Sequence, residues 1–133
     1  MTAMPLITVP VPDQPDLIAF DGSEVRILAH SPRGTMAHFT LQPGQVSKAI
    51  AHRTIDEIWF VVSGRGQMWR SDGVTEEVTE LRPGVSLTLM PGMGFQFRAT
   101  GPEPLCTVGV AMPPWPGDGE AEYVEGHWAA ASD

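Results

Sequence analysis

The sequence predicts an all-β fold, either a β-sandwich or a β-barrel, and three observations lead to that prediction. Turn signals built on glycine and proline recur every several residues from Leu17 onward, as in DGS, SPRG, QPG and PGMG. Between them lie short runs rich in β-branched and aromatic residues, such as EVRILAH, EIWFVV, VSLTLM and LCTVGVAM. No segment before residue 117 has a clear helical period. Many short strands separated by such turns are typical of sandwiches and barrels.

The chain of 133 residues has the length of one domain with its own core. We predict an extended N-terminal arm at residues 1–16, a barrel at 17–112 and a tail at 113–133. Four prolines in the arm favour extended backbone, so its LITV run is a candidate edge strand, with a loose terminus as the equal alternative.

The tail is acidic and aromatic. It has no Lys or Arg, and it contains Trp115, Tyr123 and Trp128. A disordered acidic segment rarely keeps three such aromatic residues. We therefore expect the tail to pack on the barrel or on a partner, with the residues after Trp128 loose.

Charge and cysteine content exclude several classes of protein. The formal net charge is -8, with 16 acidic against 8 basic residues, and no Lys/Arg cluster is present, so we expect no nucleic-acid partner. The single cysteine, Cys106, cannot form an internal disulfide. No signal peptide and no apolar run of membrane-spanning length is present, so we expect a cytoplasmic protein with no membrane partner.

Two glycine-framed stretches carry the most specific pattern in the chain. In the first, Gly44 is followed by five residues, Ile50, one residue, His52, four residues, Glu57, six residues and Gly64. This spacing resembles the first motif of the cupin superfamily, in which the positions of Ile50 and His52 are both histidine.

The second stretch, GVSLTLMPGMGFQFRA from Gly84 to Ala99, resembles the second cupin motif. Its glycines, Gly84 and Gly92, fit the motif. Met90 stands where proline is usual, Phe95 stands at the third histidine and Ala99 replaces an asparagine. The resemblance implies that the barrel is a double-stranded β-helix, or jelly roll.

The resemblance also implies a divalent metal, commonly iron, manganese, zinc, nickel or copper, held by three histidines and a glutamate. Only His52 and Glu57 remain here, whereas a catalytic metal usually needs three protein ligands. We therefore expect no cofactor. If a metal does bind, its ligands would be His52, Glu57 and His38, which lies on the strand that enters the first motif.

His52 and Glu57 are also the candidate catalytic residues. The ordinary pKa of histidine suits proton transfer near neutrality, and Glu57 in an apolar pocket could orient His52 or raise its pKa. The alternative is a structural pair, because a buried carboxylate needs a partner in any case.

Strand alternation points Trp59 and Val61 inward with Glu57, and it leaves an apolar outer face that could pack on another subunit.

A hydrophobic ligand pocket is expected inside the barrel, since such composition is usual for small-molecule sites. The alternative is simple core filling. The predicted lining residues are Ile50, Trp59, Met68, Met90, Phe95, Phe97 and His38.

The expected partners are a small organic ligand and a second copy of the chain. The cupin resemblance implies a homodimer in which the arm adds to the partner's sheet. The sequence favours a binding protein or a metal-independent enzyme of lyase or isomerase type. A metal-dependent enzyme such as a dioxygenase, and a non-catalytic sensing or assembly domain, are the alternatives.

Overall fold

A computed structural model of the chain describes residues 4–117 and 119–131. These residues form eleven strands and no helix, which confirms the all-β prediction. It follows that no helix in this part of the chain could cross a membrane. The strands are β1 (Leu17–Ile18), β2 (Glu24–Ser31), β3 (Gly34–Leu41), β4 (Ile50–His52), β5 (Asp56–Ser63), β6 (Gly66–Ser71), β7 (Glu76–Leu81), β8 (Ser86–Leu89), β9 (Gly94–Ala99), β10 (Leu105–Met112) and β11 (Ala121–Tyr123).

The strands make two antiparallel sheets that face each other. The first has the order β1-β2-β3-β10-β5-β8 and the second has the order β11-β4-β9-β6-β7. Most neighbouring strands in each sheet are distant in sequence. For example, β10 pairs with β5 in the first sheet, and β4 pairs with β9 in the second. This arrangement brings the two motif stretches together between the sheets.

Strand β5 shows why the sequence folds this way. Glu57, Trp59 and Val61 are buried, whereas Ile58, Phe60 and Val62 are 48%, 47% and 47% exposed. The period of two is that of a strand with one face on the core. The predicted directions of these side chains agree with this pattern, and the outer face is both apolar and accessible.

The core fills the space between the sheets with aromatic and aliphatic side chains. Trp59 packs edge-on against Phe97, with ring centroids 5.0 Å apart, and stacks on Phe39 at 4.9 Å. Around them lie Leu41, Val61, Met68, Leu81, Leu87, Leu89, Phe95, Ala99 and Leu105.

The motif glycines have a backbone reason for being glycine. Gly44, Gly64, Gly84 and Gly92 all have positive φ, between 83° and 95°, where residues with a Cβ are strained. At Gly64 a Cβ would also lie 2.3 Å from the carbonyl oxygen of Pro104. The spacing of the motif glycines therefore reflects the positions of the turns that join the strands.

The two ends of the chain differ in how they are held. The described part of the arm, before β1, contains no strand, so the LITV run adds to neither sheet of its own chain. Arg26 holds the arm by donating to the carbonyl oxygens of Pro12 at 2.9 Å and Asp13 at 3.1 Å. Farther out, apolar side chains lie in solvent, and Leu6 is 96% exposed. Residues 1–3 of the predicted arm lie outside the described residues.

The tail returns to the barrel. Its strand β11 pairs with β4, and the guanidinium of Arg98 lies 4.3 Å from the ring centroid of Trp128. Beyond Trp128, Ala131 exchanges two backbone hydrogen bonds with Val46, of 2.7 and 3.0 Å. The chain up to Ala131 is therefore held and not loose as expected. Asp118, Ser132 and Asp133 of the predicted tail lie outside the described residues.

Candidate functional site

A cavity of about 550 Å³ opens between the two sheets. Its lining comes from β1 and the loop after it, from β2, β3, β4, β5 and β10, and from the tail up to the start of β11. The aromatic side chains in the lining are Phe20, Phe39, Trp59 and Trp115. The polar ones are Asp21, Thr35, His52 and Glu57. A mostly apolar cavity with a few polar groups is the usual form of a small-molecule site.

Glu57 is placed by the inward face of β5, and it is 5% exposed. Its Oε1 accepts a hydrogen bond of 2.5 Å from Trp59 Nε1 on the same strand face. Burial raises the pKa of Glu57 from 4.5 to about 7; the hydrogen bond from Trp59 opposes this, and the charge of Asp21 adds to it. At neutral pH this carboxyl group can therefore either donate or accept a proton.

His52 ends β4 and is 3% exposed. Its ring lies edge-on to Phe95 at 5.1 Å and to Trp115 at 5.4 Å. Its Nδ1 is buried and has no hydrogen-bond partner in the described part of the chain. Burial lowers the pKa of His52 from 6.5 to about 4, against the opposing charge of Glu120. The imidazole is therefore neutral at physiological pH.

His52 and Glu57 share the cavity, but they do not form the predicted pair. The hydrogen bond to Glu57 comes from Trp59, and the pKa of His52 is lowered and not raised. The hypothesis that Glu57 orients His52 or raises its pKa is therefore wrong. The physical reason is that apolar rings surround the histidine and remove it from water.

Asp21 is a cavity residue that the sequence analysis missed. It lies in the loop between β1 and β2 and is 4% exposed. Its Oδ1 accepts hydrogen bonds from Ser23 N at 2.9 Å and from Ser23 Oγ at 2.7 Å. Burial raises the pKa of Asp21, and the bonds from Ser23 only partly offset this effect. The DGS signal predicted the turn, but nothing in it indicated that the carboxylate is buried.

Glu120 fixes the tail next to the cavity. Its carboxylate accepts hydrogen bonds from Thr54 N, Thr54 Oγ1 and Ile55 N, all between 2.7 and 2.8 Å. Although burial raises the pKa of Glu120, these bonds outweigh it and lower the pKa below its ordinary value. Glu120 thus clamps the tail to the loop after β4, beside His52.

The predicted pocket residues divide into three groups. Ile50 and Trp59 line the cavity together with His52 and Glu57. Met68, Phe95 and Phe97 are instead fully packed in the core, at most 2% exposed, and they are not among the residues that line the cavity. Met90 follows the end of β8 and is 42% exposed, so it points to solvent and not into the pocket.

His38 does not face the cavity. Its neighbours Ala37 and Phe39 line it, and strand alternation directs His38 to the opposite face of β3, where Arg26 is its cross-strand partner. Burial and the nearby Arg26 charge lower the pKa of His38. His38 therefore cannot join His52 and Glu57 as a ligand.

The residues at the ligand positions of the cupin metal motif decide whether a metal ion could be held in the cavity. The two missing histidine positions hold Ile50 and Phe95, which are direct cross-strand partners in β4 and β9. Across residues 4–117 and 119–131, no three His, Cys, Asp or Glu side chains are grouped so that they could hold a metal ion. The donor set that this structure offers at His52 and Glu57 does not fit the family's metal centre.

The family is decided by a sequence comparison in which residues 37–110 match the model of the Cupin domain. The matched region is more than half of the chain and contains both motif stretches. The chain belongs to the cupin family. No curated protein is significantly similar to it in sequence.

Solved structures agree with this cupin fold. An uncharacterized conserved protein with a double-stranded β-helix domain from Klebsiella pneumoniae is 21% identical, with a TM-score of 0.64 over 90% of this chain and 92% of that one. KdgF from a Halomonas species is 23% identical, with a TM-score of 0.61 over 69% and 81%. The capsular polysaccharide assembling protein CapF from Staphylococcus aureus is 18% identical, with a TM-score of 0.65 over 92% of this chain but 35% of that one. The predicted double-stranded β-helix is confirmed.

Proposed function

We propose that this cupin binds a small, largely apolar organic molecule in the cavity without a metal, as a binding protein or as a metal-independent enzyme of lyase or isomerase type. The observation that carries the proposal is the cavity of about 550 Å³, with aromatic walls and two buried polar groups whose pKa values are displaced in opposite directions. Displaced pKa values in a cavity are typical of functional sites. Burial of an apolar ligand against the aromatic walls would supply most of the affinity.

The acid/base chemistry belongs to Glu57. With a pKa of about 7, its carboxyl group is close to half-protonated at neutral pH, which suits a general acid or base. Trp59 Nε1 occupies Oε1 and so leaves the other oxygen to exchange a proton with a ligand. His52 stays neutral near pH 7, so its role toward a ligand is limited to hydrogen bonding. This division of roles fits a lyase or isomerase that moves one proton, or a binding protein that uses the same groups for recognition.

Two measurements test the proposal. Calorimetric titration with 2-phenylethanol, a neutral aromatic probe, should give saturable binding, and Trp115→Ala should weaken it by removing one wall. A ¹³C titration of the Glu57 carboxyl should give a midpoint near 7. Absence of saturable binding together with an ordinary Glu57 midpoint would refute the proposed function.

The metal-dependent alternative keeps only His52 and Glu57, because His38 lies on the other face of β3. Mass spectrometry of untagged protein, incubated with iron, manganese, zinc, nickel and copper and then dialysed, decides between the two. Stoichiometric metal that is lost in His52→Ala would favour the alternative. Retention of 2-phenylethanol binding in metal-free protein supports the metal-independent proposal.

We also propose that the cupin is a homodimer. Ile58, Phe60 and Val62 form an exposed apolar row on β5, inside the sheet between β10 and β8. The arm of the same chain is equally apolar and exposed, as at Leu6. A second copy would cover both surfaces, and large exposed apolar patches are typical of such interfaces.

Light scattering after size-exclusion chromatography tests the dimer. Phe60→Glu should convert a dimer to a monomer, whereas Val74→Glu should not. Val74 is 95% exposed in the turn between β6 and β7, so it is the matched control for adding a charge at an exposed apolar position. A wild-type monomer, or an unchanged mass in Phe60→Glu, would contradict the proposal.

A further inference from the structure

We infer that the cavity selects a small organic cation, namely a protonated amine or a quaternary ammonium group attached to an apolar body. The inference rests on the proposed small-molecule function and specifies its ligand class. It is carried by two buried carboxylates beneath aromatic walls and by the lack of any Lys or Arg among the described residues that line the cavity.

The two carboxylates are poorly compensated inside the protein. The hydrogen bonds that Asp21 receives from side chains and backbone come from Ser23 and reach Oδ1, and the hydrogen bond to Glu57 reaches Oε1 from Trp59. Among the described residues, Oδ2 of Asp21 and Oε2 of Glu57 receive no such bond. A buried carboxylate without a cationic partner is costly. An ammonium group would supply both the charge and the missing donors.

No neighbouring strand supplies a countercharge. The residues opposite Glu57 are Ala111 on β10 and Leu89 on β8. The charged group that acts on the pKa of Glu57 is the acidic Asp21, and the one that acts on His52, which lines the same cavity, is the acidic Glu120. His52 is neutral because rings enclose it and remove it from water, so it adds no positive charge to the cavity.

The aromatic walls suit the same ligand. Phe39 and Trp59, which stack with centroids 4.9 Å apart and 14° between their planes, both line the cavity. Phe20 and Trp115 add further rings. The faces of aromatic rings attract cations, Trp most strongly, and the attraction grows when the site is dry. An anion would meet the carboxyl groups of Asp21 and Glu57 and, among the described lining residues, no Lys or Arg.

Long-range electrostatics act in the same direction. The formal net charge of the chain is -8. A field of this sign raises the local concentration of cations and lowers that of anions. The chain as a whole and the cavity in particular therefore discriminate against an anionic ligand.

The test compares three probes of nearly the same size by calorimetry at pH 7.5 and low salt: 2-phenylethylammonium, 2-phenylethanol and phenylacetate. The ammonium should bind at least about tenfold more tightly than the alcohol, and the acid should bind most weakly. An alkylammonium remains protonated at this pH, as a lysine side chain does.

Charge-neutral variants assign the preference to the cavity. Glu57→Gln, and separately Asp21→Asn, should reduce the ratio of ammonium to alcohol affinity by at least about fivefold. Glu76→Gln should not change that ratio. Glu76 is exposed on the edge strand β7, and its substitution changes the net charge by the same amount.

The outcomes distinguish failure of the cation inference from failure of the proposed small-molecule function. Equal affinity for ammonium and alcohol overturns the cation inference and leaves the proposed small-molecule site standing. A ratio that is unchanged in both cavity variants also overturns it. No binding of the ammonium probe overturns this inference, and no saturable binding of any probe together with an ordinary Glu57 midpoint overturns the proposed function as well.

Discussion

Replacing Glu57 by glutamine should make the protein more stable above neutral pH. Glutamine has nearly the shape of a protonated glutamate, and its oxygen can still accept the hydrogen bond from Trp59 Nε1. The substitution therefore removes the ionisation of this side chain while leaving its packing and its one hydrogen bond in place. Its effect on stability isolates the free-energy cost of a buried charge.

The sign and size follow from the pKa of Glu57. Burial raises this pKa from 4.5 to about 7 in the folded protein. The folded state therefore binds the proton more tightly than the unfolded state does. The resulting stability is fully present below about pH 4.5 and is lost as the pH rises through 7. At about 1.4 kcal/mol for each pKa unit, the loss amounts to about 3 kcal/mol.

The assay is urea denaturation of wild type and Glu57→Gln at several pH values between 4 and 8.5, with the difference in unfolding free energy plotted against pH. Other groups titrate in this range: the raised pKa of Asp21 lowers stability as pH rises, and the lowered pKa of His52 lowers it as pH falls. Both are present in the two proteins and largely cancel in the difference. A difference that stays flat from pH 5 to 8, or a variant less stable than wild type at pH 8, would refute the reasoning.

Two further substitutions test the structure around the cavity. Glu120→Ala should lower the unfolding free energy by about 3 kcal/mol because it leaves the amides of Thr54 and Ile55 without acceptors. Glu122→Ala, which breaks only an exposed ion pair with Arg53, should cost less than about 1 kcal/mol, and equal losses would contradict the clamp. Gly109→Ala should cost about 1–3 kcal/mol and weaken 2-phenylethanol binding, because its Cβ would lie 2.7 Å from Trp59 Cδ1 and force that ring to move. Gly34→Ala, whose nearest atoms are 3.4 Å away, is the control, and identical behaviour of the two variants would show that Trp59 does not shape the cavity.

The sequence predicts the strands that have a clear period and clear turns. EVRILAH lies in β2, EIWFVV lies in β5 and LCTVGVAM is β10. The short strands β4 and β11 were missed because three residues show no period. Their pairing, as between Ala51 and Glu122, joins residues that are far apart in the chain. Local patterns cannot show such a pair, which is fixed by tertiary packing.

The site was harder to predict than the fold because burial decides its chemistry. His52 and Glu57 were found from their spacing, and both line the cavity. Asp21 was missed, since an aspartate before glycine is an ordinary turn residue and only the packed loop shows that it is buried. His38 was expected to line the pocket and does not, because the direction of its side chain cannot be predicted from the sequence and a shift of one residue on a strand reverses the face.

The two apolar residues that replace histidines of the cupin metal motif, Ile50 and Phe95, lie next to each other in the structure. Ile50 and Phe95 are cross-strand partners on β4 and β9, so the two apolar side chains that replace histidines pack side by side. Phe95 then lies 5.1 Å from the ring of His52 and 6.3 Å from the ring of Trp59. The same contacts that remove two ligand positions also exclude water from the remaining histidine, and this exclusion lowers its pKa. Glu57, which accepts a hydrogen bond from Trp59, is also buried, and its raised pKa makes it the group that can exchange a proton near neutrality. An apolar pair in place of two metal ligands therefore changes the chemistry available at the two positions that were kept.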